Sequence, residues 1–265
     1  MPSWDPNQYL RFAEQRTRPC RELAARIQCK PVAKPVREII DLGCGPGNST
    51  RILADCWPDA ELTGLDSSPE MISAARQAEP RHRWMVGDIG EWATRGADKF
   101  DVVFSNAALQ WLPDHAVLYP RLLDRTAPGG ALAVQMPGNH DGPSHRLMRE
   151  IAKSPGWRRW FPSGQISEWH VHDLAFYYDV LAPHASGIDL WETVYIHVMP
   201  DAESIVEWYK GTGLRPYLDT IESDSDKKRF VAEYLEGIRA AYPARPDGSV
   251  LFPFNRLFLV AHRPD

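Results

Sequence analysis

The chain has 265 residues, 43% of them hydrophobic, enough to bury a sizeable core as one large domain or one domain with insertions. Lys and Arg number 30 against 35 Asp and Glu, a formal net charge of -5. With no basic run, nucleic acid is not expected as a partner. The start, MPSWDPNQYL, lacks the basic-then-apolar order of a signal peptide, and no apolar run approaches bilayer-spanning length, so a cytoplasmic protein that avoids membranes is expected. Cys20, Cys29, Cys44 and Cys56 form no C-x-x-C pair and read as reduced thiols.

Along the chain, an opening helix over residues 5–28 precedes a β-α-β rhythm that fills residues 36–136. The segments REIIDLG, AELTGLD, HRWMVGD, FDVVFSN and GALAVQM read as strands, spaced by helix-like stretches such as NSTRILADCW and SPEMISAAR, which predicts a parallel sheet covered by helices. Ser67 or Ser68 is placed to cap a helix with Pro69 in its first turn, and Pro128-Gly129-Gly130 to stop another before the fifth strand. After Gln135 the composition shifts to His, Trp, Pro and Gly. IDLWETVYIHVM then reads as a strand, residues 201–242 as helices and RLFLVAH as a last strand.

DLGCGPGNST, residues 41–50, turns the first strand into a helix. No lysine follows its glycines, so it is not a phosphate-binding P-loop, and Asn48 stands where a dinucleotide fingerprint needs its third glycine. Gly43, Gly45 and Gly47 still mark a backbone that a ligand approaches closely. Asp66 ends the second strand, where a carboxylate accepts hydrogen bonds from ribose hydroxyls of either a nicotinamide or an adenosyl cofactor; capping the next helix is its alternative role. Asp88 and Ile89 put a polar group beside an apolar one at the third strand end, suited to an adenine.

Taken in order, DLGCGPGNST, GLDSSPEMI, GDI and SNAALQWLPDH resemble the motifs of class I S-adenosylmethionine (SAM) methyltransferases. A closer resemblance, carried by WDPNQYLRFAEQRTRP, LAVQMPGN, TGLRPYL and RLFLVA, is to the trans-aconitate 2-methyltransferase family. It implies a Rossmann-like α/β fold: a seven-stranded, mostly parallel sheet with its last strand antiparallel, helices on both faces and helical lid insertions. Residues 1–265 would then form one domain, with the opening helix, an insertion at 138–187 and a helical lid at 200–252 covering the active face. It further implies methyl transfer from SAM to a carboxylate of trans-aconitate or a close relative, giving a monomethyl ester. The alternatives are esterification of a malonyl group on an acyl carrier protein, or another small-molecule O-methylation. A nicotinamide oxidoreductase and a SAM-binding module without catalysis are the readings from other classes.

On this reading Gly43, Gly45, Gly47, Asp66, Ser67, Met71, Asp88, Ile89 and Asn106 hold the cofactor, with Tyr9 folding over it and Arg18 on its carboxylate. A carboxylate nucleophile is already ionised at neutral pH, so no catalytic base is expected. A protein of net charge -5 does not attract a polycarboxylate through its overall field, so Arg215, Arg256 and Arg16 are expected to bind it, with Trp111 excluding water. Arg215 and Arg256 are expected to meet when the lid closes. His140, His145, His170 and His172 lack the carboxylate or cysteine spacing of a metal site and are expected on helix or loop surfaces; no metal and no obligate protein partner are expected.

Overall fold

The computed structural model describes residues 13–29, 35–96, 98–162 and 169–265. They divide into two compact units. A sheet unit comprises Ala13–Pro137, His170–Thr193 and Arg256–Asp265; an aromatic unit contains Gly138–Trp169 and Val194–Asn255.

In the sheet unit, α1 (Ala13–Cys29) is followed by β1 (Glu38–Leu42), α2 (Asn48–Cys56), β2 (Glu61–Asp66), α3 (Pro69–Ala78), β3 (Arg83–Val86), α4 (Ile89–Thr94), β4 (Phe100–Asn106), α5 (His115–Asp124) and β5 (Thr126–Pro137). β4 is buried at every residue but its last, the continuous apolar run of a parallel strand covered on both faces. The sheet order is β3-β2-β1-β4-β5-β7-β6, with β6 at Gly187–Met199 and β7 at Val250–His262. β1 to β5 pair in parallel, whereas β7 runs antiparallel to β5, from Ala131 opposite His262 to Pro137 opposite Arg256. The expected architecture, seven mostly parallel strands with an antiparallel last strand, is the one observed. The carboxyl ends of β1, β2, β4 and β5 and residue Arg256 therefore share one rim.

One boundary differs from expectation. Pro128-Gly129-Gly130 does not stop the preceding helix, because α5 already ends at Asp124 and the three residues lie inside β5. There the register jumps from Phe100–Thr126 to Val102–Ala131, so these residues bulge, with Gly129 in a left-handed conformation at φ 71°. Residues 138–187 divide between the two units after Trp169. Their second half forms α7 (Leu174–Leu181), which packs on α5 and drives Tyr177 and Leu181 into the sheet core beside Tyr119, Leu122, Val103 and Val134. An amphipathic helix beside a sheet does this by default. α1 packs along α2 and β5.

The aromatic unit holds α6 (Pro143–Lys153), α8 (Ala202–Lys210), α9 (Arg215–Thr220) and α10 (Asp224–Ala241). α10 packs on α6 and α8 around Trp157, Trp208, Tyr209, Phe230, Tyr234 and Phe252. In β7, Val250, Phe252 and Phe254 alternate into this core, which is why the strand begins well before the RLFLVAH segment. Among the described residues, no helix is long and apolar enough to cross a membrane.

Candidate functional site

The glycine loop is built by hydrogen bonds across the sheet rim. Gly43 N and Cys44 N both donate to Leu65 O, at 2.7 and 3.1 Å, which folds the loop over the end of β2. Gly43 has φ 71°, and a Cβ there would lie 2.2 Å from Ala108 Cβ, so only glycine lets the loop meet the segment after β4. Gly45, at φ 54°, has no atom within 4 Å of where its Cβ would stand. The open side of the loop is therefore at Gly45. Gly47 is the N-cap of α2.

Asp66 faces this opening. Its Oδ2 accepts from Gly45 N and its Oδ1 from Ser68 N, each at 2.9 Å. Ser68, not Ser67, caps α3 by accepting from Met71 N at 3.2 Å, while Ser67 is exposed and Met71 buried. Because each carboxylate oxygen accepts two hydrogen bonds, Asp66 tethers the loop and keeps lone pairs for hydroxyl donors. Asp88 is exposed and caps α4 through Glu91 N at 2.9 Å, with Ile89 buried beside it. At the end of β4, Asn106 has a buried Oδ1 with no partner among the described residues. An open glycine edge, a carboxylate and an orphaned amide oxygen on neighbouring strand ends fit an adenosyl cofactor rich in hydroxyl and amine donors.

Three contributors were not anticipated. Asp41 is buried and accepts from the hydroxyls of Ser49 and Thr50, both at 2.6 Å, locking the glycine loop to the first turn of α2. Burial pushes its carboxyl up to about 6. The signal was available in the acid that opens DLGCGPGNST and the hydroxyl pair that ends it. Gln135, a polar residue in the apolar run LAVQM, lies opposite Asn106 and accepts from Arg256 Nη1 at 3.2 Å. His115, buried behind the loop after Asn106, bridges Leu109 O at 3.0 Å and the Tyr177 hydroxyl at 2.8 Å; burial lowers its pKa to about 4. This bridge braces a turn whose ends, Ala107 and Asp114, both adopt φ 57°. Trp111, half-buried, lies on that turn.

Arg256 is buried at 4% exposure on the rim. Arg215 begins α9 in the aromatic unit, pairing with Asp219 at 3.6 Å. Arg18 is exposed and bonds Glu22 at 2.9 Å, whereas Tyr9 and the Arg16 side chain lie outside the described residues. His145 departs from its expected surface position: it is buried between Trp169 and Tyr209, at ring distances of 4.4 and 5.0 Å. Helix α6 turns that face inward. No group of three or more His, Cys, Asp or Glu among the described residues is placed to hold a metal. Cys44 is buried against Ile72, Ala75 and Trp84, which raises its thiol pKa.

Residues 39–130 match the family described as Methyltransferase domain. A trans-aconitate 2-methyltransferase of Azoarcus sp. (strain BH72) is 51% identical over 99% of this chain and 100% of its own. One from Rhodopseudomonas palustris (strain BisB18) is 46% identical over 98% of this chain and 99% of its own. The chain belongs to the trans-aconitate 2-methyltransferase family. It is thus an enzyme, a methyltransferase with SAM as methyl donor. Among solved structures, a putative sarcosine dimethylglycine methyltransferase from Galdieria sulphuraria shares the fold at TM-score 0.55 and 16% identity, over 98% of this chain and 91% of that one. The YcgJ protein of Bacillus subtilis does so at TM-score 0.59 and 12% identity, over 92% and 99%.

Proposed function

We propose that this member of the family transfers the methyl group of SAM to one carboxylate of trans-aconitate, or of a closely related small polycarboxylic acid, giving a monomethyl ester. The observation that most supports this reading is kinship with trans-aconitate 2-methyltransferases over nearly the whole chain, the aromatic unit included. When bound, SAM supplies a methyl group activated by its sulfonium. In this reading Gly43, Gly45 and Gly47 shape the cradle, Asp66 accepts the ribose hydroxyls with Ser67 and Met71 beside it, Asp88 and Ile89 take the adenine, and Asn106 closes the rim. Arg18 and Tyr9 are assigned to the cofactor's carboxylate end.

The substrate carboxylate needs no base, since it is ionised at neutrality. Its negative charge is cancelled as it meets the sulfonium, so exclusion of water and alignment carry the acceleration. Arg256, held by Gln135, offers a rigid two-point donor to a carboxylate. Arg215, Arg16 and Trp111 are the further residues assigned to the substrate in this reading.

Docking of an acyl carrier protein finds less support. In the basic fragment WRRW at 157–160 Trp157 is buried and bonds Glu233 at 2.7 Å, and of the two exposed arginines Arg159 already pairs with Asp226. Incubating the protein with labelled SAM and a panel of di- and tricarboxylic acids, with products identified by mass spectrometry, tests the reading. The expected product is a monomethyl ester of trans-aconitate; labelling only of a malonyl-carrier protein would replace this reading with the alternative.

A further inference from the structure

The aromatic unit contains a polar cluster buried among its rings. Asn139 Nδ2 donates to the Tyr209 hydroxyl at 2.8 Å, and that hydroxyl shares a bond with Ser144 Oγ at 2.7 Å. Asn139, Ser144 and His145 are 8, 1 and 7% exposed. A cluster this buried and this polar is costly unless its groups are used. His145 Nε2 has no hydrogen-bond partner among the described residues.

Ser144 and His145 lie in the first turn of α6, an 11-residue helix that starts after Gly142 with Pro143 in its first turn and no side-chain cap. Pro143 has no amide hydrogen, and Arg146 N already bonds Gly142 O at 3.0 Å. The amides of Ser144 and His145 thus belong to the turn whose donors the helix itself does not use. Such a terminus attracts negative charge. Arg149 adds a cation one turn further along, with Nη1 on His140 O at 2.7 Å. The acid nearest to it, Asp141, pairs with Arg149 at 3.5 Å and His140 at 3.1 Å and is exposed.

The second segment is a tight turn. Thr212 N and Leu214 N both donate to Tyr209 O, at 2.9 Å, and Arg215 N donates to Thr212 O at 3.2 Å. Within this turn Gly213 is pressed on His145: a Cβ there would lie 2.9 Å from His145 Cε1. Burial, with Arg149 and His140 nearby, lowers the His145 pKa to about 3, so the ring is neutral at working pH and carries one N–H.

We propose that Ser144 and His145, at the N-terminus of α6 and braced by Tyr209, form a carboxylate-binding subsite within the aromatic unit that takes a small polycarboxylic acid. Two first-turn amides, a hydroxyl and a neutral imidazole N–H match the acceptors of a planar anion, and the partly exposed Arg149 supplies charge one turn along. Tyr209 is a positioning residue: its hydroxyl fixes the Ser144 rotamer. The identity of the acid rests on the function proposed above; the subsite's preference for carboxylate does not. The methionyl carboxylate of SAM is the other source of the same chemistry, and the test separates the two.

The test is calorimetric titration of trans-aconitate, citrate and acetate into protein saturated with S-adenosylhomocysteine, which has no methyl to transfer. Ser144→Ala and Tyr209→Phe should each weaken trans-aconitate and citrate by about tenfold, diminish the weaker response to acetate and leave S-adenosylhomocysteine affinity within about twofold. Tyr209→Trp, which keeps the bulk but not the hydroxyl position, should not restore binding. If Tyr209→Phe lowers the melting midpoint, Ser144→Ala decides, since it removes one hydroxyl only. Binding of trans-aconitate by both variants within about twofold of the parent overturns the subsite and leaves the proposed function standing. Loss of S-adenosylhomocysteine affinity with the acids unaffected overturns it too, in favour of the cofactor's carboxylate. Binding of citrate but not trans-aconitate by the parent, lost in both variants, upholds the subsite while removing trans-aconitate as the substrate.

Discussion

In the sheet unit polar residues arrive one per strand end: Asp66 on β2, Asn106 on β4, Gln135 on β5, and Arg256 where β7 pairs with β5. In the aromatic unit they arrive from two segments far apart in the chain, residues 139–145 and 209–215, joined by side chains. The first arrangement is enforced by backbone hydrogen bonding, since parallel strands deliver their carboxyl ends to one rim whatever their side chains. The second exists only because Tyr209 packs where it does. Backbone changes should therefore dominate the damage in the sheet unit, and single side-chain atoms should decide the aromatic unit.

Gly43→Ala is the sharpest way to break that contrast. The added methyl collides with Ala108 and occupies a left-handed conformation, a combined cost on the order of 2–4 kcal/mol. SAM binding should be lost together with stability. A denaturation midpoint and a SAM affinity equal to the parent's would show that the loop is not held from the β4 side.

Acid should then separate the two units. His115 in the sheet unit and His145 in the aromatic unit are both buried neutral, with pKa values lowered to about 4 and about 3. For such a group the unfolded chain takes up the proton first, so stability is full above the unfolded pKa near 6.5 and declines as pH falls, by roughly 1 kcal/mol per pH unit per histidine. Asp41 has the opposite sign: raised to about 6, it stays protonated in the fold and gains stability over the same interval. Arg149 and His140 face His145, and His170 and His172 face His115, all adding to the penalty of protonation. The sheet unit therefore has an offset that His145 lacks. Hydrogen exchange at pH 5 should loosen residues 143–153 and 202–220 before the β1–β4 core, and Asp41→Asn should erase part of that difference.

Asp66→Ala follows. It removes the tether to Gly45 as well as the proposed ribose acceptor, which should weaken SAM by roughly 3 kcal/mol, or about a hundredfold. An unchanged affinity in calorimetry would assign Asp66 to capping alone. Arginine changes come next. Arg256→Lys keeps the charge but loses the fork that rests on Gln135, and should lower kcat/KM for trans-aconitate by about thirtyfold with SAM affinity intact. Arg215→Lys, at a half-buried helix start, should lower it by about tenfold. Steady-state values within about twofold of the parent for both would leave substrate recognition to the α6 cluster.

The strands were legible because their apolar runs are short and bounded by glycine, proline and aspartate, and the rim residues followed from strand order. Asp66, Asn106 and Arg256 are readable in that way. His115 is not, because its meaning depends on Tyr177, which reaches it only once α7 has folded back on α5. Nor is His145, whose neighbours in space, Trp169 and Gly213, bear no spacing relation to it. The bulge at Pro128-Gly129-Gly130 was hidden for the opposite reason. A tripeptide that ends helices also accommodates an irregular strand, and only pairing with β4 decides between them.

The smallest expected effect is the most exposed to contradiction. If the nucleophile is a substrate carboxylate, the chemical step needs no proton taken by the protein, and its rate should rise as the substrate's own acids ionise and then stay level from pH 6 to 8. The titrating groups closest to the proposed sites fit this expectation. His115 and His145 change charge near 4 and 3, below that range, and the buried tyrosine Tyr177 lies above it, at about 12. Asp41, raised to about 6, is a buried group able to impose a limb, and the side chains it bonds are those of Ser49 and Thr50. Single-turnover rates across pH 5 to 8 should therefore be flat near 7 in the parent and in His145→Gln alike. A limb near 6 that disappears in Asp41→Asn would trace it to the glycine loop's lock, and one that disappears in a histidine variant would reinstate a protein base and displace the carboxylate mechanism.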